Sequence, residues 1–474
     1  MIRPPLPIGP TARQYLLAIP GAVLLGNLAF SSPVPLVLLL GGGLLVGVAC
    51  RFPETILGLY FLVAILPEIL AAAFDNTTAW RIILPGINGQ DLILGAMAAA
   101  VVINRLSRLV TPQGPPSTPT IWIPALMILF GAWCSWQIFR NLNIYGLSAA
   151  GEFKSHYLTL TLPLYLALFL DTAQRRRRML QFLLFSSLVA PMICLLPIGF
   201  LKGWGVGHQS RFFVATTSMG LVLGILTAIL ADRYRLLRLP ALPILTLCLT
   251  ALVTIILDSH RSVWFPGLIM TGISIRLTDP APRPTPPKAL THGAIFLVAL
   301  GLTWFLLAGG LGKSLPQFIS QRAQEAVQVG NEHRTTWTWR IDKWKNQLER
   351  SADTPLTGIG FGGYWGLTEQ PGDVGISPHN LYVQLWVKLG ALGLICYLLI
   401  NGLILTAMAR AYLRLKTAAD AQALYPALGI MALVGSHIYY FAYGLEDNGL
   451  MVLGLALAGT RYGLSAPREA PCPA

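Results

Sequence analysis

Long apolar runs alternate with short polar connections along most of this chain. Val34–Cys50, Met179–Phe200, Phe213–Ala231 and Val383–Met408 carry few or no charges. Each is close to the roughly 17–25 residues that cross a bilayer as a helix. The same pattern predicts spans near 15–30, 34–50, 55–73, 91–104, 121–138, 157–171, 179–200, 213–231, 240–257, 263–276, 292–309, 383–408, 425–443 and 447–463, about 12–14 transmembrane helices in all. The run Tyr15–Phe30 follows Arg3 and Arg13 in the manner of a signal peptide. It lacks a small-x-small cleavage site and further spans follow at once, so it reads as a retained helix. The alternation is interrupted once, from Leu311 to Tyr382, where the chain is largely polar. Three regions result: residues 1–310 as helices with short loops, 311–382 as one long external loop, and 383–474 as further helices and a tail. The Pro-rich connection Thr278–Lys288 is a linker, since proline lacks the N–H a helix interior needs.

Composition agrees: 54% of residues are hydrophobic and 11% charged, against about 25% charged in soluble domains. The expected fold class is an all-α polytopic membrane protein. Its formal charge of +14 is explained largely by topology. Arg175–Arg178, then Arg233, Arg235 and Arg238, then Arg276, Arg283 and Lys288, then Arg410, Arg414 and Lys416 all fall on one side if the spans alternate. Lys and Arg collect in short cytoplasmic loops, so that side and both termini read as inside and Leu311–Tyr382 as outside. Basic clusters between membrane spans also argue against nucleic acid as a partner. The six cysteines are scattered, without metal-ligand spacing or a disulfide framework.

Candidate chemistry gathers on the side opposite the basic clusters. His379, in Pro378-His379-Asn380-Leu381-Tyr382, stands where the long polar segment enters a span. Arg211 and Arg261 fall at the ends of two other spans on that face. A guanidinium stays charged and binds phosphate bidentately. Within the long segment, Leu315, Phe318, Ile319, Ala323, Ala326 and Val327 recur at helical spacing. Trp337, Ile341, Trp344 and Leu348 form a second stripe with Arg340, Lys343 and Lys345 around it, suited either to the headgroup layer or to packing on the membrane domain. Pro355-Leu356-Thr357-Gly358-Ile359-Gly360 reads as a tight turn that lets the chain approach a ligand closely. His437, inside a span, reads as a hydrogen-bonded packing residue.

Three places are similar to the O-antigen ligase and polymerase superfamily of bacterial envelope glycosyltransferases. Arg340 through Trp344, with Pro355-Leu356-Thr357-Gly358-Ile359-Gly360, resembles its Arg-x-x-x-Trp and Pro-Leu-x-Gly-x-Gly run. His379-Asn380-Leu381-Tyr382, with Gly390 and Gly393, resembles His-Asn-x-Tyr…Gly-x-x-Gly, and His260-Arg261-Ser262-Val263-Trp264 resembles Ser-Arg-Ser-x-Trp. Lys388 stands where an acidic residue is common, and the segment after Arg211 lacks Asn-Pro-Asn.

The resemblance implies an enzyme of the bacterial inner membrane that joins a glycan carried on undecaprenyl diphosphate to a sugar hydroxyl at the periplasmic face. The acceptor would be a glycan or a lipid-A core. Arg211 and Arg261 would hold the donor diphosphate and His379 would act as base, with His260, Arg340, Asn380 and Tyr382 in support. Inversion, no cofactor and no metal are expected, as no Asp-x-Asp pair occurs on the outer side. A repeat-unit polymerase of the same superfamily is the near alternative. A lipid-linked glycan flippase is the alternative from another class, disfavoured because Glu68 and His437 are almost the only deep ionisable groups this reading finds.

Overall fold

The structure, a computed structural model, describes residues 33–70, 82–84, 87–110, 122–146, 148–202, 213–237, 239–257, 260–277, 336–362, 379–445 and 447–465. Its helices are α1 (Pro33–Arg51), α2 (Pro53–Leu70), α3 (Gly89–Val110), α4 (Trp122–Tyr145), α5 (Ser148–Tyr157) and α6 (Leu158–Phe169). The seventh, α7, joins Ala173–Leu184 through a π-turn, Phe185–Val189, to Ala190–Lys202. There follow α8 (Ala215–Arg233), α9 (Ala241–Leu257), α10 (Arg261–Leu277), α11 (Thr336–Arg350), α12 (Leu381–Thr417), α13 (Leu424–Tyr439) and α14 (Asp447–Ser465). A two-strand hairpin, Ile82–Leu84 with Ile87–Asn88, precedes α3. The fold is an all-α polytopic membrane protein. Among the described residues five helices are long and apolar enough to cross a bilayer: Pro53–Leu70, Ala173–Gly199, Ala215–Arg233, Leu381–Thr417 and Ala421–Tyr439. Five further apolar helices are shorter. The expected spans at 15–30 and 292–309, and the amphipathic helix near 315–327, lie outside the described residues.

Apolar helices gain nothing by leaving lipid for one another unless they pack closely, so small residues mark their contacts. A methyl group on Gly435 of α13 would overlap Met270 of α10. One on Gly454 of α14 would overlap Leu166 of α6, and one on Gly459 would overlap Tyr425 of α13. The core therefore runs through α6, α10, α12, α13 and α14.

One end of the bundle gathers the basic loops, as the sequence pattern predicts. Leu277 O, closing α10, accepts from both Tyr234 Oη and Tyr412 Oη at 2.7 Å. Arg414 Nη1 reaches Leu464 O at 2.9 Å. The arginine run forms the first turns of α7 rather than a loop, capped by Thr172. Buried Arg176 donates to Gln422 Oε1 at 2.6 and 3.1 Å and lies between the Tyr425 and Tyr462 rings. These contacts put the C-terminal ends of α8, α10, α12 and α14 together. The starts of α8, α10 and α12 consequently share the opposite end.

The helix α12 is broken at Gly390, which adopts φ 68° and ψ −173°. A break inside a membrane helix frees backbone donors and acceptors that lipid cannot satisfy. Here the segment 355–360 supplies four of the partners. Ala391 N donates to Pro355 O at 2.8 Å and Leu392 N to Leu356 O at 3.3 Å. In return Ile359 N donates to Val387 O at 2.8 Å and Gly360 N to Lys388 O at 3.0 Å. Gly358 (φ 68°) lies against Gly390, each leaving no room for a Cβ on the other. The glycines expected to admit a ligand instead admit another stretch of the same backbone.

Gly390→Ala and Gly358→Ala are each expected to lower the melting temperature of the detergent-purified protein. Left-handed backbone alone costs a non-glycine residue about 1–2 kcal/mol, and steric overlap adds to it. Gly402, further along α12, has open space around it, so Gly402→Ala should be neutral or slightly stabilising. Identical melting curves for the three variants would remove the break's structural role.

Candidate active site

His379 sits at the start of α12 with φ 50°, in the left-handed region. That region is several-fold enriched in Asn, Asp and His among non-glycine residues. The next residue explains the geometry. Asn380 is extended and buried, and its Oδ1 accepts from Tyr382 N at 3.0 Å and Val383 N at 3.1 Å, an N-cap. Leu381 N donates to Tyr440 O at 2.9 Å, just past the end of α13, and Tyr382 Oη donates to His437 O at 2.8 Å. Asn380 and Tyr382 therefore fix the backbone from which His379 projects. The His379 pKa is lowered from the usual imidazole value, first by burial, then by Arg340 and by Lys343. The neutral, proton-accepting form is favoured.

The helix α11 delivers those cations, and it is turned the other way from an ordinary amphipathic helix. Lys343, Gln347 and Ser351 are buried along one stripe, the i, i+4, i+8 repeat of a single helix face. Ile341 and Leu348 face outward, 42% and 40% exposed. Of the two placements open at the sequence level, these two apolar residues fit the headgroup layer, and the polar stripe is the one that packs inward. The Arg340 guanidinium lies 5.3 Å from the centre of the Tyr443 ring, and its Nε is buried with no hydrogen-bond partner among the described residues.

His260 is buried, and its Nε2 lies 2.9 Å from Phe213 O. The ring nitrogen donates there in the tautomer that carries its proton. That bond ties the chain just before α8 to the start of α10. Arg261 is the first residue of α10, while its side chain lies outside the described residues, and so does Arg211, two positions before Phe213. His260 is an anchor between the two arginine-bearing segments. His437 is held by packing as expected: Nδ1 meets Leu433 O at 2.8 Å and the ring stacks on Tyr397 at 5.9 Å.

Sequence reasoning missed a second polar cluster. Lys388, 0% exposed, meets Glu152 of α5 at 2.8 and 2.9 Å. Glu152 Oε2 also accepts from Gly362 N at 2.6 Å. The face of α4 bearing Trp133, Gln137, Arg140 and Asn141 completes the clasp. Trp133 Nε1 donates to Leu389 O at 3.0 Å, Gln137 Nε2 to Thr357 O, and Arg140 Nη1 to Gly358 O at 3.3 Å. Asn141 Nδ2 donates to Ile359 O at 2.9 Å and Phe361 O at 2.7 Å. The i, i+4, i+7, i+8 spacing of polar residues in an apolar span was the available signal. Among the described residues, no three His, Cys, Asp or Glu side chains converge on a common point.

Residues 209–398 match the family model described as O-Antigen ligase. The matched stretch holds Arg211, Arg261, Arg340, the glycine segment, His379 and the Gly390 break, so the resemblance carried by those motifs is borne out. It indicates a membrane enzyme of the O-antigen ligase or polymerase type. A comparison with curated proteins returned no match.

Removing one partner of a buried ion pair leaves the other charge stranded, at about 3–5 kcal/mol. Lys388→Met should destabilise the protein by that order in thermal or denaturant unfolding. Lys388→Met combined with Glu152→Leu should recover part of the loss, because the stranded carboxylate is gone. Strict additivity of the two single effects would show that the groups are not coupled.

Proposed function

We propose that this protein is a glycosyltransferase that moves a glycan from undecaprenyl diphosphate onto an acceptor sugar hydroxyl at the periplasmic face of the bacterial inner membrane. The observation that carries the reading is the placement of His379. It stands at the bundle end opposite the basic loops, desolvated and facing two cations, at the same end as the start of α10, where Arg261 lies.

In this mechanism His379 accepts the proton of the acceptor hydroxyl as its oxygen attacks the anomeric carbon. The bond from that carbon to the diphosphate oxygen breaks, and the lipid diphosphate leaves with the electron pair. Attack from the face opposite the leaving group inverts the anomeric centre. Arg211 and Arg261 hold the diphosphate and offset its growing charge, the established use of positioned cations on phosphoryl oxygens. Arg340 adds positive potential next to the base, which keeps the imidazole neutral and ready. The donor brings its own activated leaving group, so the reaction proceeds without nucleotide, and the arginines take the part a divalent metal plays elsewhere. The acceptor is a lipid-A core in the ligase reading and a second lipid-linked repeat in the polymerase reading.

The broken helix α12 invites comparison with transporters, which bind ions at unwound backbone. Freed groups at Gly390 are instead occupied by the segment 355–360 and by Trp133, which favours surface chemistry over transport.

His379→Ala is expected to lower transfer by about 10²–10⁴-fold, the usual loss of a general base, while donor binding persists. The wild-type rate should fall with acidification along a limb below the ordinary imidazole pKa of 6.5, since the folded pKa is depressed. Purified protein with lipid-linked glycan and EDTA tests both points. A near-normal alanine variant would make His379 structural, and metal-restored activity after EDTA would end the metal-free mechanism. Arg261→Lys retains charge without the planar fork and should lose most activity while inserting normally. Wild-type turnover there would reduce Arg261 to an interfacial residue.

A further inference from the structure

The proposed base and a nearby cation meet on one aromatic ring. Tyr443 lies in the turn between α13 and α14, where Phe441 N, Ala442 N and Tyr443 N donate back to Ile438 O and Tyr439 O at 2.9–3.2 Å. Its ring stacks on that of the fully buried Tyr439, with 5.0 Å between centroids and 11° between planes. The Arg340 guanidinium is 5.3 Å from the ring centre. The His379 imidazole and this ring form a T-shaped pair, 5.8 Å between centroids and 67° between planes. The left-handed backbone of His379 and the Leu381–Tyr440 hydrogen bond bring the start of α12 to this turn.

We propose that Tyr443 is a positioning residue. The ring seats the Arg340 guanidinium over its face and holds the His379 imidazole in a T-shaped contact, so one ring sets how far the cation stands from the base. The attraction on the face is that between a cation and the ring quadrupole. The T-shaped contact is an arrangement aromatic rings prefer. Among the described residues, the charged and titratable groups facing His379 include Arg340 and Lys343 from α11 and Tyr443 from the turn. Without the ring, Arg340 is free to swing toward solvent and the field on the imidazole weakens. The tyrosine hydroxyl takes no part.

This inference rests on the reading of His379 as base, and the experiment separates the two. Full-length protein carrying Tyr443→Leu, Tyr443→Phe, Arg340→Gln or His379→Ala is assayed for transfer of lipid-linked glycan across pH, with kcat and KM determined separately. Tyr443→Leu should lower kcat about 10- to 100-fold, the order expected for misplaced reacting groups. It should also move the acid limb upward in pH, toward the unperturbed imidazole value. Tyr443→Phe should restore both the rate and the limb. Arg340→Gln should shift the limb in the same direction, and adding Tyr443→Leu to it should shift it no further. A role in packing alone would leave the limb in place. Tyr443→Leu with wild-type rate and limb overturns the proposal, as does Tyr443→Phe behaving like Tyr443→Leu. Should Tyr443→Leu fail to fold, the Arg340→Gln limb decides: unmoved, it too overturns the proposal. An active His379→Ala defeats the underlying reading, whereas an inactive one beside a normal Tyr443→Leu defeats only this inference.

Discussion

A helix that breaks inside a bilayer must return every freed backbone group to a partner, and that requirement organises this protein. Lipid offers no hydrogen bonds, and each unmet group costs several kcal/mol. At Gly390 most of that need is met by a single turn-forming segment, Pro355 to Gly360, which exchanges four backbone bonds with α12, and Trp133 serves Leu389 O. The segment then has carbonyls of its own to satisfy. Those are met by Gln137, Arg140 and Asn141, which explains polar side chains on an otherwise apolar α4. Glu152 closes the arrangement by taking both Gly362 N and the Lys388 ammonium. Helices α4, α5 and α12 are thereby fastened to one short strand of chain.

That clasp bears on chemistry through its neighbours. The segment it fixes follows directly from α11, which carries Arg340 and Lys343. The part of α12 before the break begins at Asn380 and His379. The cations and the histidine thus hang from the two strands that meet at Gly358 and Gly390. Burial and two nearby positive charges push the imidazole the same way, so the electrostatic setting of the proposed base arises from the packing of two elements.

Fold class, the gathering of basic loops at one end, and the motif residues around His379 were legible in the sequence, because they depend on local composition and period. The polar segment was harder. Its glycines signalled close approach correctly, yet a sequence cannot say what approaches, and here it was α12 itself. The orientation of α11 was also ambiguous, since Ile341 and Leu348 suit lipid as well as a protein core. Lys388 departs from the family pattern, in which an acidic residue is common, and its partner, Glu152, is 236 residues away. Long-range pairs of opposite charge leave no mark in a local reading. Tyr443 went unnoticed for the same reason, one aromatic among many until it is seen between Arg340 and His379.

The distance along the chain between the two halves of the clasp has a consequence for biosynthesis. Asn141 is 218 residues from Ile359, whose carbonyl it serves. At about 5–20 residues per second, ribosomal synthesis takes about 10–40 s to cover that interval. For that time α4 and α5 carry amide and carboxylate groups that await backbone not yet made. They must be sheltered by water, by the insertion machinery or by temporary helix pairings. The clasp can close only once residue 392 has been made, and chains released before it would lack the donors that complete it.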